Sequence, residues 1–381
     1  MKNVFVVADN IFSPLGATTV ENVAALQAGR TGLRQHKNFM ESSSDVFAAL
    51  FSYEDEQNCI GGGDFTRFEK ILATSIKHAL TGSAVDITDP ATILVISSTK
   101  GNISMLEDVQ PPEDRNKAIA LTASAKKIAK WFGHPNAPVV VSNACISGLA
   151  ALLVAKRLIQ IGKADHAIVA GADLITRFVQ SGFESFQALS PEVCKPFDKH
   201  RRGINLGEAA ATIVLSVNPG SYQPAVCISG GSVSNDANHI SGPSRTGEEL
   251  ALAIRKALKE AVLQPAQIDF ISAHGTATMY NDEMEAKAFG IAGVAAAPVN
   301  SLKGYFGHTL GAAGLVESAI TLSSMRENRM YPTFGFQHHD VSAPVNVCDR
   351  MENKELNHTL KTASGFGGCN AALVFSKYEI R

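Results

Sequence analysis

The sequence predicts an α/β fold made of two related halves, and three observations support this prediction. Short apolar runs typical of buried strands alternate with segments of helical periodicity along all 381 residues. A polar segment that contains proline, Ser216 to Pro224, interrupts the alternation near the middle of the chain. A strand, a turn of small residues and an Ala-rich helix occur in both halves, at Pro138–Val154 and Ala297–Ile320. We therefore expect an N-terminal half, 1–219, and a C-terminal half, 220–381.

In the first half, apolar runs predict five strands and the stretches of helical periodicity between them predict five helices. The strands are expected at Val4–Ala8, Thr92–Ser97, Pro138–Ser142, Ala167–Ala170 and Ala211–Leu215. The helices are expected at Thr18–Ala28, Phe65–Leu80, Leu121–Trp131, Ile146–Ile161 and Phe178–Ala188.

The second half repeats this alternation with four strands and three helices. The strands are expected at Ala225–Ser232, Ile268–Ser272, Pro298–Asn300 and Ala371–Phe375. The helices are expected at Gly247–Leu263, Asp282–Gly290 and Gly311–Met325. If the halves face each other, the two turns of small residues that precede their Ala-rich helices come together.

The composition is that of an ordinary globular chain, and it excludes several functions. The formal net charge is −2 without a block of basic residues, so nothing points to nucleic acid. No apolar run is long enough to span a bilayer, and Met1–Ala8 is typical of a strand rather than of a signal peptide. Six cysteines occur without CxxC pairs, which predicts a reducing cytoplasm and neither a zinc site nor a disulfide scaffold.

Cys145 is the first candidate for chemistry. It lies in the turn Ser142–Gly148, between a predicted strand and an apolar helix that begins at about Ile146. The positive end of the helix dipole favours a thiolate at this position, and unpaired backbone N–H groups of the turn can hold an oxyanion. We therefore expect a nucleophile with a depressed pKa. A buried structural cysteine is the alternative.

His274 is the second candidate. It follows the predicted strand Ile268–Ser272 and precedes glycine, at the sheet edge where open α/β folds bind their ligands. A histidine satisfied by nearby backbone groups is the alternative. On the next predicted helix, Glu285 and Asp282 can orient neighbouring groups or balance their charge. The helix dipole explains acidic residues in a first turn equally well.

Two glycine-rich segments complete the set of candidates. The segment Asn300–Gly314 presents Lys303 and His308 on a backbone that can adopt unusual dihedral angles. Its alternative is a tight strand-to-helix connection whose lysine is solvated. The segment Ser364–Asn370 precedes the last predicted strand and has Phe366 as its one bulky residue. A plain hairpin turn is the alternative there.

In this order, the segments resemble the β-ketoacyl synthases of the thiolase-like superfamily, of the elongating type with a Cys-His-His triad. The resemblance covers nearly the whole chain and is carried by Asn143–Gly148, His274–Thr278, Lys303 with Gly307–Gly314, Gly365–Gly368, Lys195–Asp198, Arg201, Gly203 and Gly207–Glu208. It implies a thiolase-like fold, in which two related halves pack as α-β-α-β-α layers. Ile146, Ser364 and Cys369 depart from the family's pattern, which leaves the acyl-chain preference and the pocket depth open.

The resemblance implies the decarboxylative condensation of an acyl thioester with a malonyl thioester, in fatty-acid or in polyketide or polyene elongation. Cys145 would accept the acyl chain, and neutral His274 and His308 would donate hydrogen bonds to the enolate oxygen. The resemblance also implies that Lys303 and Glu285 support these three residues, and that the N–H groups of Cys145 and Phe366 form an oxyanion hole. Phe366 would act as a gate as well. Thr276 and Thr278 would contact the pantetheine arm.

Three related proteins remain as alternatives. A thiolase would need a second cysteine as acid–base group, and only Cys369 is suitably placed, while Lys303 and His308 argue against this reading. An initiating synthase of the Cys-His-Asn type has asparagine where this chain has His308. A non-catalytic chain-length partner of an active synthase would have lost the nucleophile, which is present here as Cys145.

The resemblance also predicts the partners. No permanently bound cofactor is expected, because the substrates would arrive on the 4'-phosphopantetheine arm of an acyl carrier protein. The assembly would be a homodimer, or a heterodimer with a related subunit. Since the chain is slightly acidic overall, an acidic carrier would need a local basic patch. The candidates for it are Lys199, Arg201, Arg202, Lys126 and Lys127.

Overall fold

A computed structural model describes residues 2–37, 39–41, 45–107, 115–220, 223–237 and 244–378. In the first half the strands are β1 (Phe5–Phe12), β2 (Arg34–His36), β3 (Val46–Ala49), β4 (Thr92–Ser97), β5 (Val139–Val141), β6 (His166–Asp173), β7 (Leu206–Gly207) and β8 (Ala209–Ser216). The helices of this half are α1 (Thr19–Gln27), α2 (Tyr53–Gln57), α3 (Arg67–Thr81), α4 (Arg115–Ile119), α5 (Leu121–Trp131), α6 (Ser147–Gln160) and α7 (Arg177–Ser185).

In the second half the strands are β9 (Ala225–Asn235), β10 (Phe270–Ser272), β11 (Pro298–Asn300), β12 (Arg329–Met330), β13 (Asn346–Val347), β14 (Glu352–Asn353), β15 (His358–Gly365) and β16 (Cys369–Tyr378). The helices are α8 (Glu248–Ala261), α9 (Met279–Ala292), α10 (Lys303–Phe306) and α11 (Ala313–Glu327). Every strand and helix expected from the sequence is present, with ends that differ by a few residues. The elements that were not predicted are β15, the short strands β2, β3, β7, β12, β13 and β14, and the short helices α2, α4 and α10. Residues 221 and 222 of the expected seam lie outside the described residues.

The main sheet contains the same strand order twice. Its order is β13-β11-β10-β15-β16-β9-β1-β8-β6-β4-β5. In each half the first strand pairs antiparallel with the last one, and the remaining strands follow in the same sequence of antiparallel and parallel pairs. The halves join where β1 pairs antiparallel with β9. The expected relation between the halves is therefore confirmed by topology, while the boundary at 219/220 stays a prediction.

The helices form three layers around the two halves of the sheet. α3 and α5 cover the outer face of the first half, and α8 and α9 cover the outer face of the second. α6 and α11 lie between the halves, because α6 contacts β4, β6 and β16, and α11 contacts β8 and β15. The α-β-α-β-α arrangement of the thiolase-like fold is thus confirmed. Among the described residues, no helix has the length and apolarity needed to cross a membrane.

Local sequence explains where these helices begin and how the middle layer packs. α1 and α3 start with capping boxes, Thr18 with Glu21 and Thr66 with Glu69. In the middle layer, a Cβ on Gly148 would lie 2.9 Å from the backbone nitrogen of Leu315, and a Cβ on Gly314 would lie 2.7 Å from that of Leu149. Only glycine fits at either position, so α6 and α11 meet backbone to backbone.

Candidate active site

Cys145 lies in a strained turn between β5 and the first residue of α6. The preceding Ala144 has a φ of 42°, a left-handed conformation that is rare for a residue with a side chain. Ser147 stabilises this turn, since its hydroxyl donates to the Ala144 carbonyl at 2.6 Å and accepts from the Asn143 N–H at 2.8 Å. Ile146, at the helix cap, is fully buried in the core. The turn therefore directs Cys145 away from the core and into a cavity.

Two histidine rings converge on this cysteine. Nε2 of His308 lies 3.0 Å from Sγ of Cys145. The rings of His274 and His308 meet edge to face, with their centroids 5.2 Å apart. One donor atom from each of the three residues lies within 4.8 Å of the others, and all three residues are buried. Zinc also accepts these donor types, and they form the one such cluster in the part of the chain that the structure describes.

The cluster lies in a cavity of about 470 Å³. Thr276, Thr278 and Phe366, which the sequence analysis singled out, are on its wall. Met279 and Tyr280, which were not singled out, also line it and are largely exposed. The cavity is therefore open to a long substrate arm and is mainly apolar near its entrance.

Lys303 and Glu285 lie behind His274 rather than on the cavity wall. Glu285 accepts hydrogen bonds from the N–H groups of His274 and Gly275, at 2.8 and 2.6 Å. Nζ of Lys303 donates to the His274 carbonyl at 2.6 Å and lies 3.3 Å from Nδ1 of its ring. An ammonium group can only donate, so Nδ1 is the acceptor and the ring proton is on Nε2. The supporting role that the resemblance implied for these two residues stays a prediction.

Two charged residues of this region were missed by the sequence analysis. Glu317 on α11 is 2.7 Å from Nζ of Lys303 and 2.8 Å from Nζ of Lys361 on β15. All three side chains are almost fully buried. A glutamate within the apolar run of α11 was the signal that could have identified Glu317. Lys361 had no such signal, because β15 itself was not predicted.

Burial determines the protonation of both histidines. The pKa of His274 and that of His308 lie well below 6.5, first because burial disfavours the charged ring and then because Lys303 is close. Lys361 acts in the same direction on both rings. The two imidazoles are therefore neutral at physiological pH and can donate hydrogen bonds.

The prediction of a depressed pKa for Cys145 is wrong. Burial raises the pKa of this thiol to about 12, and its proximity to Cys369 adds to the effect. Lys303 and a hydrogen bond from the Phe366 N–H act in the opposite direction without compensating for burial. At neutral pH Cys145 is therefore a thiol, and its Sγ lies 3.0 Å from Nε2 of His308.

The glycine-rich loop before β16 packs on the nucleophile turn. A Cβ on Gly365 would lie 2.9 Å from the backbone nitrogen of Cys145, so that the two backbones are in close contact. The Phe366 ring is 39% exposed and contacts Phe183 and Phe186, with centroids 5.7 and 5.1 Å apart. Phe366 thus has one aromatic neighbour on α7 and one at its C-terminal cap, and it lines the cavity.

The predicted basic patch is only partly correct. Lys199 and Arg202 are exposed, and Arg202 lines the cavity. Arg201 is buried, and its guanidinium donates to backbone carbonyls of Asp198 and Asp340, which makes it structural. Lys126 and Lys127 lie on α5, and Lys127 is paired with Asp64 and Glu69. Arg201 and Lys127 are therefore unsuitable for docking, because the guanidinium of Arg201 binds backbone carbonyls and the ammonium of Lys127 is paired with two carboxylates.

Comparison with known proteins agrees with this geometry. The family described as "Beta-ketoacyl synthase, N-terminal domain" matches residues 65–218, and "Beta-ketoacyl synthase, C-terminal domain" matches residues 225–337. These matches cover well over half of the chain. It belongs to the β-ketoacyl synthase family. Members of this family are acyltransferases.

Individual relatives match along the full length. The chain is 28% identical to 3-oxoacyl-[acyl-carrier-protein] synthase 2 of Vibrio cholerae, over 99% of each protein. Among solved structures, the ishigamide ketosynthase/chain length factor has a TM-score of 0.90 at 26% identity, over 99% of this chain and 100% of that one. The ketosynthase ApeO in complex with its chain length factor ApeC, from Xenorhabdus doucetiae, has a TM-score of 0.88 at 23% identity, over 99% and 98%. The last likeness supports the fold alone.

Proposed function

We propose that the chain is a 3-oxoacyl-[acyl-carrier-protein] synthase that condenses an acyl thioester with malonyl carrier protein through an acyl-enzyme on Cys145. The observation that carries this proposal is the convergence of Sγ and two neutral imidazoles in one cavity. Condensation needs a nucleophile that accepts the acyl group and hydrogen-bond donors for the enolate oxygen. A chain-length partner or a thiolase needs no such pair of imidazoles beside the thiol.

In the first step, Sγ of Cys145 attacks the carbonyl carbon of the acyl thioester. The thiol proton passes to Nε2 of His308, the bond from carbon to the carrier sulfur breaks, and the carrier leaves as a thiol with that proton. The oxyanion formed in this step would be held by the N–H groups of Cys145 and Phe366, which lie beside Sγ. The acyl chain then remains on Cys145.

In the second step, malonyl carrier protein loses CO₂, and the electron pair of the broken carbon–carbon bond forms an enolate. Nε2–H groups of His274 and His308 would stabilise its oxygen. Nδ1 of His308 has no hydrogen-bond partner among the described residues, so the change of tautomer between the two steps would exchange the Nδ1 proton with water for one on Nε2. The enolate carbon then attacks the acyl carbonyl, the bond to Sγ breaks with its electron pair on sulfur, and the 3-oxoacyl chain remains on the carrier. A proton from water then restores the Cys145 thiol.

The substrate arm would be a 4'-phosphopantetheine group, and no permanently bound cofactor is needed. The hydroxyls of Thr276 and Thr278 lie 2.8 Å apart on the cavity wall and can bind its amide groups. Buried Asp282 accepts from the Thr276 N–H at 2.9 Å and so fixes the position of this segment. We expect an acyl carrier protein as partner, and a dimer with an identical or a related subunit, in the cytoplasm.

Mass spectrometry of the acyl chain trapped on Cys145 tests the function and separates its two metabolic forms. The protein would be incubated with a series of acyl carrier substrates and digested to map the modified peptide. Saturated chains on Cys145 would support fatty-acid elongation, and unsaturated or poly-β-keto chains would support polyene or polyketide assembly. No acyl group on Cys145 from any substrate, with each carrier shown to be loaded, would refute the proposal.

Phe366→Ala should uncouple the two steps. The aromatic ring lines the same cavity as the Cys145 thiol and is the one bulky group of its loop, so its loss should let malonyl carrier decarboxylate before Cys145 is acylated. The measurement is CO₂ release from malonyl carrier without an acyl donor. Phe178→Ala is the matched control, because Phe178 is an exposed aromatic residue outside the cavity. Decarboxylation that still requires acyl loading in Phe366→Ala would remove the gate from the mechanism.

Reversing Lys199 and Arg202 to glutamate should raise KM for the acyl carrier about tenfold, since two exposed ion pairs become repulsive. Turnover of a small pantetheine thioester should stay nearly unchanged in Lys199→Glu alone, because Lys199 is exposed and is not on the wall of the cavity that Arg202 lines. KM of the original protein should also rise with salt. Lys163→Glu combined with Lys256→Glu is the control, since both lysines are exposed and Lys163 follows the end of α6 opposite Cys145. An equal loss with both substrates would contradict docking at this patch.

A further inference from the structure

Four buried charges form a cluster behind His274. Lys303, Glu317, Lys361 and Glu285 are each at most 4% exposed, and they come from α10, α11, β15 and α9. Buried charges are costly unless they are fully paired, and apolar side chains of similar size often give equal or greater stability. A role in positioning the residues of the candidate site therefore explains these four charges better than a contribution to stability does.

Lys361 binds the backbone that carries His274. Its Nζ donates to the carbonyls of Ser272 and Ala273, each at 3.1 Å, and to that of Thr362 at 2.6 Å. On the other side of this segment, Glu285 accepts from the His274 N–H, and it also accepts from the Thr362 hydroxyl at 3.0 Å. β15 thus supplies two neighbouring side chains that restrain the end of β10 from both sides.

Lys361 is also an ion-pair partner of Glu317. One carboxylate oxygen of Glu317 is 2.8 Å from Nζ of Lys361, and the other is 2.7 Å from Nζ of Lys303. Lys303 in turn faces Nδ1 of His274. Without Lys361, Glu317 would lose one of its two cationic partners and could rotate towards Lys303, which would draw Nζ away from Nδ1.

We propose that Lys361 is a positioning residue for decarboxylation, which acts through Glu317 and Lys303 to keep the His274 proton on Nε2. This inference rests on the proposed function. Only this tautomer directs an N–H at an enolate oxygen in the cavity while Nδ1 accepts from Lys303.

Lys361 has a second, electrostatic effect on the same ring. The charged or titratable groups around His274 are Lys303, Lys361, Glu285, Glu317, His308 and Cys145. Removal of one cation leaves the two carboxylates in excess, which raises the pKa of His274 towards its ordinary value. A protonated ring would bind the malonyl carboxylate that must leave as CO₂, so decarboxylation would fall at acidic pH.

Lys361→Met tests this inference, with Lys156→Met as the control. Lys156 is equally buried and is paired with Glu260 at 2.6 Å, but it is not in the cavity or in the cluster. We expect Lys361→Met to lower kcat for malonyl carrier decarboxylation about 10- to 100-fold, with KM and acyl loading of Cys145 changed less than about threefold. The acid limb of its pH–rate profile should move to higher pH. Lys156→Met should leave all four quantities near those of the original protein.

Nitrogen-15 NMR of labelled histidines provides a measurement that does not depend on activity. The His274 signals, assigned by their loss in His274→Ala, should show one tautomer with the proton on Nε2 in the original protein. In Lys361→Met they should show a mixture. An unchanged tautomer together with a kcat within about threefold of the original would overturn the inference.

A further variant covers the case in which Lys361→Met does not fold. Glu317→Gln keeps the shape of the side chain, removes its charge, and should produce the same change in tautomer and rate. If both variants fold, their combination should cost no more than the worse one alone, because they act in one chain of contacts. If the rate losses of the two variants multiplied in the double variant, Lys361 and Glu317 would act independently, which would contradict the proposed series of contacts. If the original protein fails to decarboxylate malonyl thioesters, the proposed function is wrong, while the NMR comparison still decides the role of Lys361.

Discussion

Replacing His274 or His308 with alanine should lower decarboxylation of malonyl carrier about 10²- to 10³-fold, while an acyl-enzyme on Cys145 remains detectable. The reason is that each imidazole is neutral, buried and close to Sγ, where an enolate oxygen would lie. A hydrogen bond to developing charge is worth more in such a site than in water. His308→Ala should also slow acyl loading, because its Nε2 is the base next to the thiol.

Two assays separate the steps. Labelled CO₂ release reports decarboxylation, and intact-protein mass spectrometry reports loading of Cys145. His166→Ala is the control, since His166 is a partly buried histidine at the end of β6 remote from the cavity lining. If both active-site variants failed to load acyl groups and still decarboxylated malonyl carrier at the normal rate, the assignment of the histidines would be wrong.

Cys145→Ala should abolish acyl loading and reduce condensation below detection, because Cys145 is the one cysteine among the described residues that lines the cavity. In the original protein, iodoacetamide should modify Cys145 first among the six cysteines. The rate should rise about tenfold per pH unit between pH 7 and 9, because the thiol pKa is about 12 and the thiolate is the reactive form.

Peptide mapping supplies the controls for this experiment. Burial raises the pKa of Cys194 and of Cys348 to about 12 as well, but neither lines the cavity. They should therefore stay unmodified while Cys145 reacts. Equal labelling of Cys59, Cys194 and Cys348 alongside Cys145 would show that the cavity gives no special access. A rate that is constant above pH 7 would indicate the depressed pKa that the helix start suggested.

The sequence analysis predicted that Cys145, His274 and His308 come together, because these residues follow strand ends within small-residue turns. Cys145, His274 and His308 each occupy such a turn, and the repeated pattern indicated that the turns would meet. The prediction of a depressed pKa for Cys145 was wrong for a physical reason. A motif shows the start of a helix, whereas desolvation depends on atoms that arrive from elsewhere in the chain.

The supporting charges could not be predicted in the same way. Lys361 is on a strand that lacks a strong apolar run, and its partner Glu317 is distant in sequence. Asp173 is a similar case. Its buried carboxylate accepts from the N–H groups of Thr99 and Gly311, at 2.9 and 2.7 Å, and so joins β6 to the turn after His308. Only the packing of separate elements reveals that these charges share partners.

The glycine crossing of α6 and α11 has a consequence for recombination between related proteins. Gly148 on α6 and Gly314 on α11 have no Cβ, which leaves space for the backbone of the opposite helix. Cys145 precedes one of these helices and His308 precedes the other. A chimera that joins the first half of one synthase to the second half of another would keep the thiol beside the imidazole only if both parents have a glycine at this crossing. A larger residue in either parent would push the helices apart and separate the nucleophile from its base.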